Sequence, residues 1–310
     1  MNEYMIAMDV GGTKTDAVLF TPDGTVLRHT VTPGANALDV GMDEAIRRYL
    51  NAIHSLCGDD IKHLRSVYAG IAAALYFGTK IHDILRPHVD ADILHIDADG
   101  PALISTMLGH TDGAALICGT GSSLTIRKGD QSDVIGGWGY LIDGCSSGFI
   151  LGKRAVYAAV REYDGRGPKT IITDLLHKRC GMPIVDHFEQ LYSGGRPYIA
   201  SLAGIVFEAR KAGDRVAAEI FEECIDDLNE LVWTAHRKLG GAYSLVLNGG
   251  IFRSFPEYVQ ALKALAPMDV TMVDSDAPPI YGCAVEAMYD AGYTCDDAFK
   301  QKFMAGYNAK

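Results

Sequence analysis

The feature that most constrains this chain is a repetition of its own opening. Tyr4–Val10 is apolar and β-prone, Gly11-Gly12-Thr13 turns the chain, Thr15–Phe20 alternates, Pro22-Asp23-Gly24 turns it again and Thr25–Thr32 returns. From Gly113 the pattern restarts: strand Ala114–Cys118, turn Gly119-Thr120-Gly121, strand Ser123–Arg127, turn Lys128-Gly129-Asp130, and a third strand near Ser132–Ile135. Duplication of a strand, Gly/Thr turn and strand unit predicts two related α/β lobes facing one another. The 310 residues suit two domains, so an active site in a cleft is expected. The lobes are placed at residues 1–112 and 113–310, with the last helix a candidate to pack back on the first lobe.

Helical spacing governs the segments that follow each meander. Val40, Ala45, Ile46, Tyr49, Leu50 and Ile53 recur on one face between Asp39 and Cys57; Ser66–Ala74 then reads as a buried strand, followed by a helix around Ile81–Leu85 and a strand Ile93–Ile96. In the second half a long helix carries Ala155, Val156, Ala159 and Val160, and two more helices are predicted between Tyr198 and Leu239. Strand Ser244–Leu247, loop Asn248-Gly249-Gly250, helix Pro256–Leu265 and strand Asp269–Val273 form a βαβ unit, and Pro279–Tyr289 reads as a closing helix.

Charge excludes one class of partner. Against 39 acidic residues stand 28 Lys and Arg, a net charge of -11, with no basic cluster to meet a phosphate backbone, so nucleic acid is not an expected partner. No apolar run approaches the ~18 residues that span a bilayer, and the first residues lack a basic region ahead of an apolar one, so a cytoplasmic protein without membrane attachment is expected. Seven scattered cysteines without a C-x-x-C pair argue against a disulfide framework and a zinc site.

Four loops carry candidate chemistry. In Asp9-Val10-Gly11-Gly12-Thr13-Lys14-Thr15 the glycines let backbone N–H groups approach an anion, the Thr13 hydroxyl can donate to a phosphate oxygen, and Asp9 at a strand end can hold a hydrated Mg2+ ion. The spacing is not that of a P-loop. Gly119, Thr120, Gly121 and Ser122 repeat the corner in the second half, giving two phosphate clamps for one triphosphate. Each corner alone also suits a plain hairpin turn. Strand Ile93–Ile96 runs into Asp97-Ala98-Asp99, and a strand-end carboxylate facing a cleft suits a base that takes the proton of an attacking hydroxyl. Asp97 is assigned that role, and Asp99, ahead of Pro101, the capping of the next helix. Gly249 and Gly250 offer a flat surface to adenosine, or close packing of a strand to a helix.

In this order the loops resemble the N-acetylglucosamine kinase family, within the BadF-type ATPase branch of the actin and hexokinase superfamily. The resemblance runs from Asp9–Thr15 through Asp97-Ala98, Gly119–Ser122, Gly136-Gly137-Trp138-Gly139, Ala212-Gly213-Asp214 and Gly249-Gly250 to Pro279–Ala284. It implies an α/β fold of two ribonuclease-H-like lobes, each a mixed sheet with helices, around an interdomain cleft. By the same resemblance Gly11, Gly12, Thr13, Lys14, Gly119, Thr120, Gly121 and Ser122 bind the phosphates of ATP, Asp9 holds Mg2+ through water, and Gly249 and Gly250 face adenosine. Asp97 is the base, and Asn36, Gly137, Trp138 and Asp143 line the sugar pocket. The reaction implied is transfer of the γ-phosphoryl group to the 6-hydroxyl of N-acetylglucosamine or a relative, by a homodimer. Two departures fall in the acceptor pocket: Asp143-Gly144-Cys145-Ser146-Ser147 stands where members read Gly-Asp-Glu-Gly-Ser, and Ala73 replaces a glycine.

Two other readings compete. An ATPase activator of the same branch needs cysteines for an iron–sulfur cluster, for which Cys118 and Cys145 are the nearest to the site. A non-catalytic sugar or nucleotide sensor is compatible with the altered Asp143–Ser147 loop.

Overall fold

A computed structural model describes residues 3–72, 74–143 and 146–309. The strands are β1 (Met5–Val10), β2 (Lys14–Phe20), β3 (Val26–Pro33), β4 (Leu64–Ile71), β5 (Ala91–Asp97), β6 (Gly113–Cys118), β7 (Ser122–Lys128), β8 (Gln131–Ile135), β9 (Tyr243–Asn248) and β10 (Val270–Asp274). The helices are α1 (Ala37–Val40), α2 (Met42–Cys57), α3 (Ala74–Leu85), α4 (Asp99–Leu108), α5 (Gly148–Tyr163), α6 (Ile171–Cys180), α7 (Phe188–Ser201), α8 (Gly204–Lys211), α9 (Arg215–Leu239), α10 (Gly250–Ser254), α11 (Pro256–Leu265), α12 (Pro279–Asp290) and α13 (Asp297–Asn308). The chain forms two compact units: one holds Met1–Gly113, Arg127–Ser132 and Ser275–Lys310, the other Ala114–Ile126 and Asp133–Asp274.

In the first unit the sheet runs β3-β2-β1-β4-β5, with β1 to β3 antiparallel and β4 and β5 parallel to β1. Strand alternation splits its apolar residues between two helical layers. Ile6, Met8, Val10, Val67 and Ala69 join a core with Tyr49 and Ile53 of α2 and Ile81 of α3. Met5, Ala7, Val18, Phe20 and Tyr68 join Ala102 of α4, Ile280 and Cys283 of α12 and Phe303 of α13. The buried Phe303 ring meets Phe20 edge-on, with centroids 5.6 Å apart.

The second unit repeats the order as β10-β9-β6-β7-β8, with β9 parallel to both β6 and β10. Its core draws on α5, α8 and α9, which contribute Leu151, Ala155, Val206, Phe207, Leu228 and Val232. Both sheets and their helices are those of the α/β fold anticipated from the repeated meander.

Boundaries differ from expectation at three places. The strand predicted to run to Ala74 ends at Ile71, and the helix predicted near Ile81 begins at Ala74, because Ala74 and Leu75 favour the helix whose apolar face Ile81 and Leu85 continue. Helix α4 has Ala98 at its N-cap and Asp99 as its first residue, one place later than a capping role requires. Helices α6, α7 and α13 were not anticipated. Among the described residues no helix is long and apolar enough to cross a membrane.

Candidate functional site

In the first unit three strand ends meet. Asp9 on β1 pairs in register with Gly70 on β4, and Gly70 with Asp97 on β5, while Asp16 lies opposite Asp9 across the hairpin. Residues in one register row face the same side of a sheet. This row faces the α4 and α12 layer, since a Cβ built on Gly70 would lie 3.2 Å from Cys283 Sγ. Two strand spacings put Asp9 and Asp97 roughly 10 Å apart, with a residue lacking a side chain in the middle. Two carboxylates so placed can serve opposite ends of a transferring group.

Electrostatics distinguish the carboxylates. Burial first, then the charges of Asp99 and Asp16, push the Asp9 carboxyl up to about 7, against a smaller opposing pull from Lys14. Asp97 is also raised, chiefly by burial, although its Oδ1 accepts a 2.7 Å hydrogen bond from the Ala98 N–H. His95, two residues before it on the same face, has Nε2 4.0 Å from Asp97 Oδ2 and bonds Asp290 Oδ2 through Nδ1 at 2.8 Å. Burial works to lower the His95 pKa, but its bond to Asp290 and the charges of Asp290, Asp97 and Glu286 prevail and raise it. Burial lifts Asp99 as well, while its own N–H and that of Gly100 pull it back. Asp16 is nearly inaccessible and satisfied three times: by Lys14 Nζ at 2.8 Å, His29 Nε2 at 2.9 Å and the Tyr307 hydroxyl of α13 at 2.8 Å.

The Gly11–Thr13 corner is clasped by the next segment. Gly34 N–H donates to the Thr13 carbonyl and Ala35 N–H to that of Gly11, both at 3.1 Å. Asn36 follows directly, and its side-chain oxygen caps α1 by accepting from Leu38 N–H at 2.9 Å. This local task for Asn36 was not legible in the sequence. Asp9, the glycine corner, Asn36 and Asp97 thus belong to one unit, at one end of its sheet.

The second unit builds the matching corner. The carbonyls of Gly119 and Thr120 accept from Gly148 and Phe149 N–H, at 2.8 and 3.2 Å, at the start of α5. Strand β9 neighbours β6, with Asn248 opposite Ile117, so Gly249-Gly250 and Gly119–Ser122 lie at adjacent strand ends. Gly249 has φ 121°, and a Cβ there would lie 2.1 Å from the Cys118 carbonyl oxygen, so the residue is demanded by packing. A Cβ on Gly250 would meet nothing within 4 Å, which leaves this residue as the open face. The loop expected to line the sugar pocket lies beside the same corner. Gly137 abuts Ser123, Trp138 is 58% exposed, and the Asp143 N–H bonds the Gly139 carbonyl. Ala73, Gly144 and Cys145 lie outside the described residues.

The metal and cluster readings can be weighed on the donor sets. Among the described residues no group of three or more His, Cys, Asp or Glu side chains could hold a metal ion by themselves. Asp9, crowded by Asp16 and Asp99, gains from a cation and fits one whose remaining ligands are water and phosphate. Cys118, by contrast, is fully buried beneath the Ser146 carbonyl, and burial pushes its thiol well up, so it behaves as a packed apolar side chain rather than a thiolate ligand.

Comparison with known proteins adds to the geometry. A model of the BadF/BadG/BcrA/BcrD ATPase family matches residues 6–287. The N-acetylmuramic acid/N-acetylglucosamine kinase of Clostridium acetobutylicum is 28% identical over 239 residues, covering 73% of this chain and 77% of the relative. The N-acetyl-D-glucosamine kinase of Dictyostelium discoideum is 27% identical over 273 residues, covering 80% and 85%. Among solved structures, a ROK hexokinase from Thermus thermophilus superposes with a TM-score of 0.62 at 14% identity over 93% of this chain and 99% of the other. A ROK family glucokinase from Streptomyces griseus, in complex with glucose and AMPPNP, gives 0.56 at 16% over 92% and 98%. At such identities the structures show a shared fold.

Proposed function

Since the chain belongs to the BadF/BadG/BcrA/BcrD ATPase family, we propose that it is an ATP- and Mg2+-dependent sugar kinase acting on O6 of N-acetylglucosamine or a related amino sugar. The observation that carries this reading is the register row Asp9, Gly70, Asp97, which puts a carboxylate at either end of one row with a glycine, closely packed by α4 and α12, between them. The kinase names of the relatives in Clostridium acetobutylicum and Dictyostelium discoideum support the same class of acceptor.

In this mechanism Gly11, Gly12, Thr13 and Lys14 of one corner, and Gly119, Thr120, Gly121 and Ser122 of the other, bind the phosphates. Gly250, with Gly249 fixing the turn behind it, faces adenosine. Mg2+ bound through water at Asp9 would supply positive charge to the phosphate oxygens. Asp97 accepts the proton of the sugar hydroxyl as its oxygen attacks the γ-phosphorus. Its raised pKa favours proton capture at neutral pH over that of an ordinary aspartate. Asn36 through its amide nitrogen, the Gly137-Trp138 loop and Asp143 orient the acceptor.

Incubation with ATP, Mg2+ and a panel of hexoses, hexosamines and N-acetylhexosamines tests the assignment, with ADP release as the rate and NMR locating the phosphoryl group on the product. We expect the fastest turnover with an amino sugar and phosphate on O6. Turnover with none of the sugars, or phosphate on the anomeric oxygen, contradicts it.

A further inference from the structure

Helix α7 is broken at Ser193-Gly194-Gly195-Arg196-Pro197, and the break aims an arginine at the second glycine corner. Gly195 has φ 55° and ψ -150° in the midst of helical neighbours, and Pro197 restarts the helix without an N–H to pair. Gly195 is the residue that leaves helical conformation, and Arg196 follows directly at the kink. Its guanidinium sits over the Tyr140 ring, 4.8 Å from the centroid, and a Cβ built on Gly121 would lie 3.5 Å from Nη2. Together with Gly121, Ser122, Gly137 and Asp143 it lines a cavity of about 80 Å3 within the second unit.

Three facts mark this arginine as waiting for an anion. Its Nε is buried without a hydrogen-bond partner among the described residues, a costly state for a charged donor. Arg196 forms no ion pair among the described residues, in a protein where carboxylates outnumber cations and arginines such as Arg28, Arg127 and Arg154 are paired. The Tyr140 ring meets the guanidinium as a cation–π partner, a contact that uses none of its N–H donors.

We propose that Arg196 binds phosphate oxygens of the nucleotide beyond the α-phosphate, at the Gly119–Ser122 corner. This rests on the assignment of that corner to ATP phosphates in the proposed function. The guanidinium is a fork of donors matched to a phosphoryl group, and the cavity is large enough for oxygens but not for a base or a sugar ring. The same oxyanion chemistry could be presented by a carboxylate on the acceptor, and the experiment separates the two.

Calorimetric titration of the protein with Mg·ATP, Mg·ADP, AMP, N-acetylglucosamine and N-acetylmuramic acid is compared for wild type, Arg196→Gln and Arg196→Lys. We expect Arg196→Gln to weaken ATP and ADP about 10- to 100-fold while changing AMP by less than about 2-fold. Arg196→Lys, which retains charge without the fork, should fall in the middle. An equal loss for AMP would make the residue merely structural. Unaltered nucleotide binding with selective loss of the carboxylate-bearing sugar would assign the anion to the acceptor. Either outcome overturns the inference. A wild type that binds ATP through Arg196 yet shows no sugar-dependent ADP release would leave it standing while the kinase reading fails. Wild type that binds no nucleotide overturns both.

Discussion

Asp9 carries an electrostatic cost that only a cation or a proton relieves. Its carboxyl titrates near 7 in the fold against 3.8 for an ordinary aspartate, so the folded state binds the proton more tightly than the unfolded chain. Below about pH 4 both states are protonated and Asp9 has no effect. Between about pH 4 and pH 7 the fold progressively loses roughly 2–4 kcal/mol on its account, and the full penalty stands above that. Asp9→Asn should therefore raise the melting temperature at pH 8 without Mg2+ and leave it nearly unchanged at pH 4. Millimolar Mg2+ should narrow the gap by stabilising wild type alone. Melting curves across pH with and without the ion check this, and a shift that ignores pH contradicts it. The strand-end positions of Asp9 and Asp97 were legible because each carboxylate closes an apolar, β-prone run. Arg196 was not, because a lone arginine in a glycine-rich stretch looks like a solvated loop until the kink in α7 is seen.

At the scale of elements, the turn after β9 separates what packing requires from what a ligand requires. Gly249→Ala would drive a methyl group into the Cys118 carbonyl at a left-handed φ and should cost at least about 2 kcal/mol of stability. Gly250→Ala adds a methyl group to open space; the fold should hold, while affinity for ATP and AMP falls together. Thermal denaturation beside nucleotide titration checks both, and a stable Gly249→Ala variant would refute the packing argument. The Gly-Gly pair was read correctly as a strand-to-helix turn, but sequence could not tell which glycine carries which duty, since that depends on β6 alongside. The strand predicted through Ala74 overran for a similar reason: apolar content continues across the boundary, and only the helical phase set by Ile81 and Leu85 marks where β4 stops. Helix α13 escaped notice because its apolar Phe299 and Phe303 are few and widely spaced, and only packing against Phe20 and Tyr281 gives them weight.

For the whole molecule, the repeated meander foretold two related α/β lobes, and the structure gives both sheets one strand order, 3-2-1-4-5 within each. Hydropathy shows that a helix has an apolar face but not which sheet covers it. The last helix was a candidate to pack back on the first lobe, and the coordinates extend that return to the whole of Ser275–Lys310. Of the carboxylates at the end of the first sheet, Asp97 is the proposed proton acceptor for phosphoryl transfer. Its most direct test is sugar-stimulated ADP release by Asp97→Asn, a substitution that keeps the shape and the capacity to accept from Ala98 while removing the base. Turnover should fall about 10²- to 10⁴-fold with KM for ATP little altered. An Asp97→Asn protein as active as wild type would contradict the account.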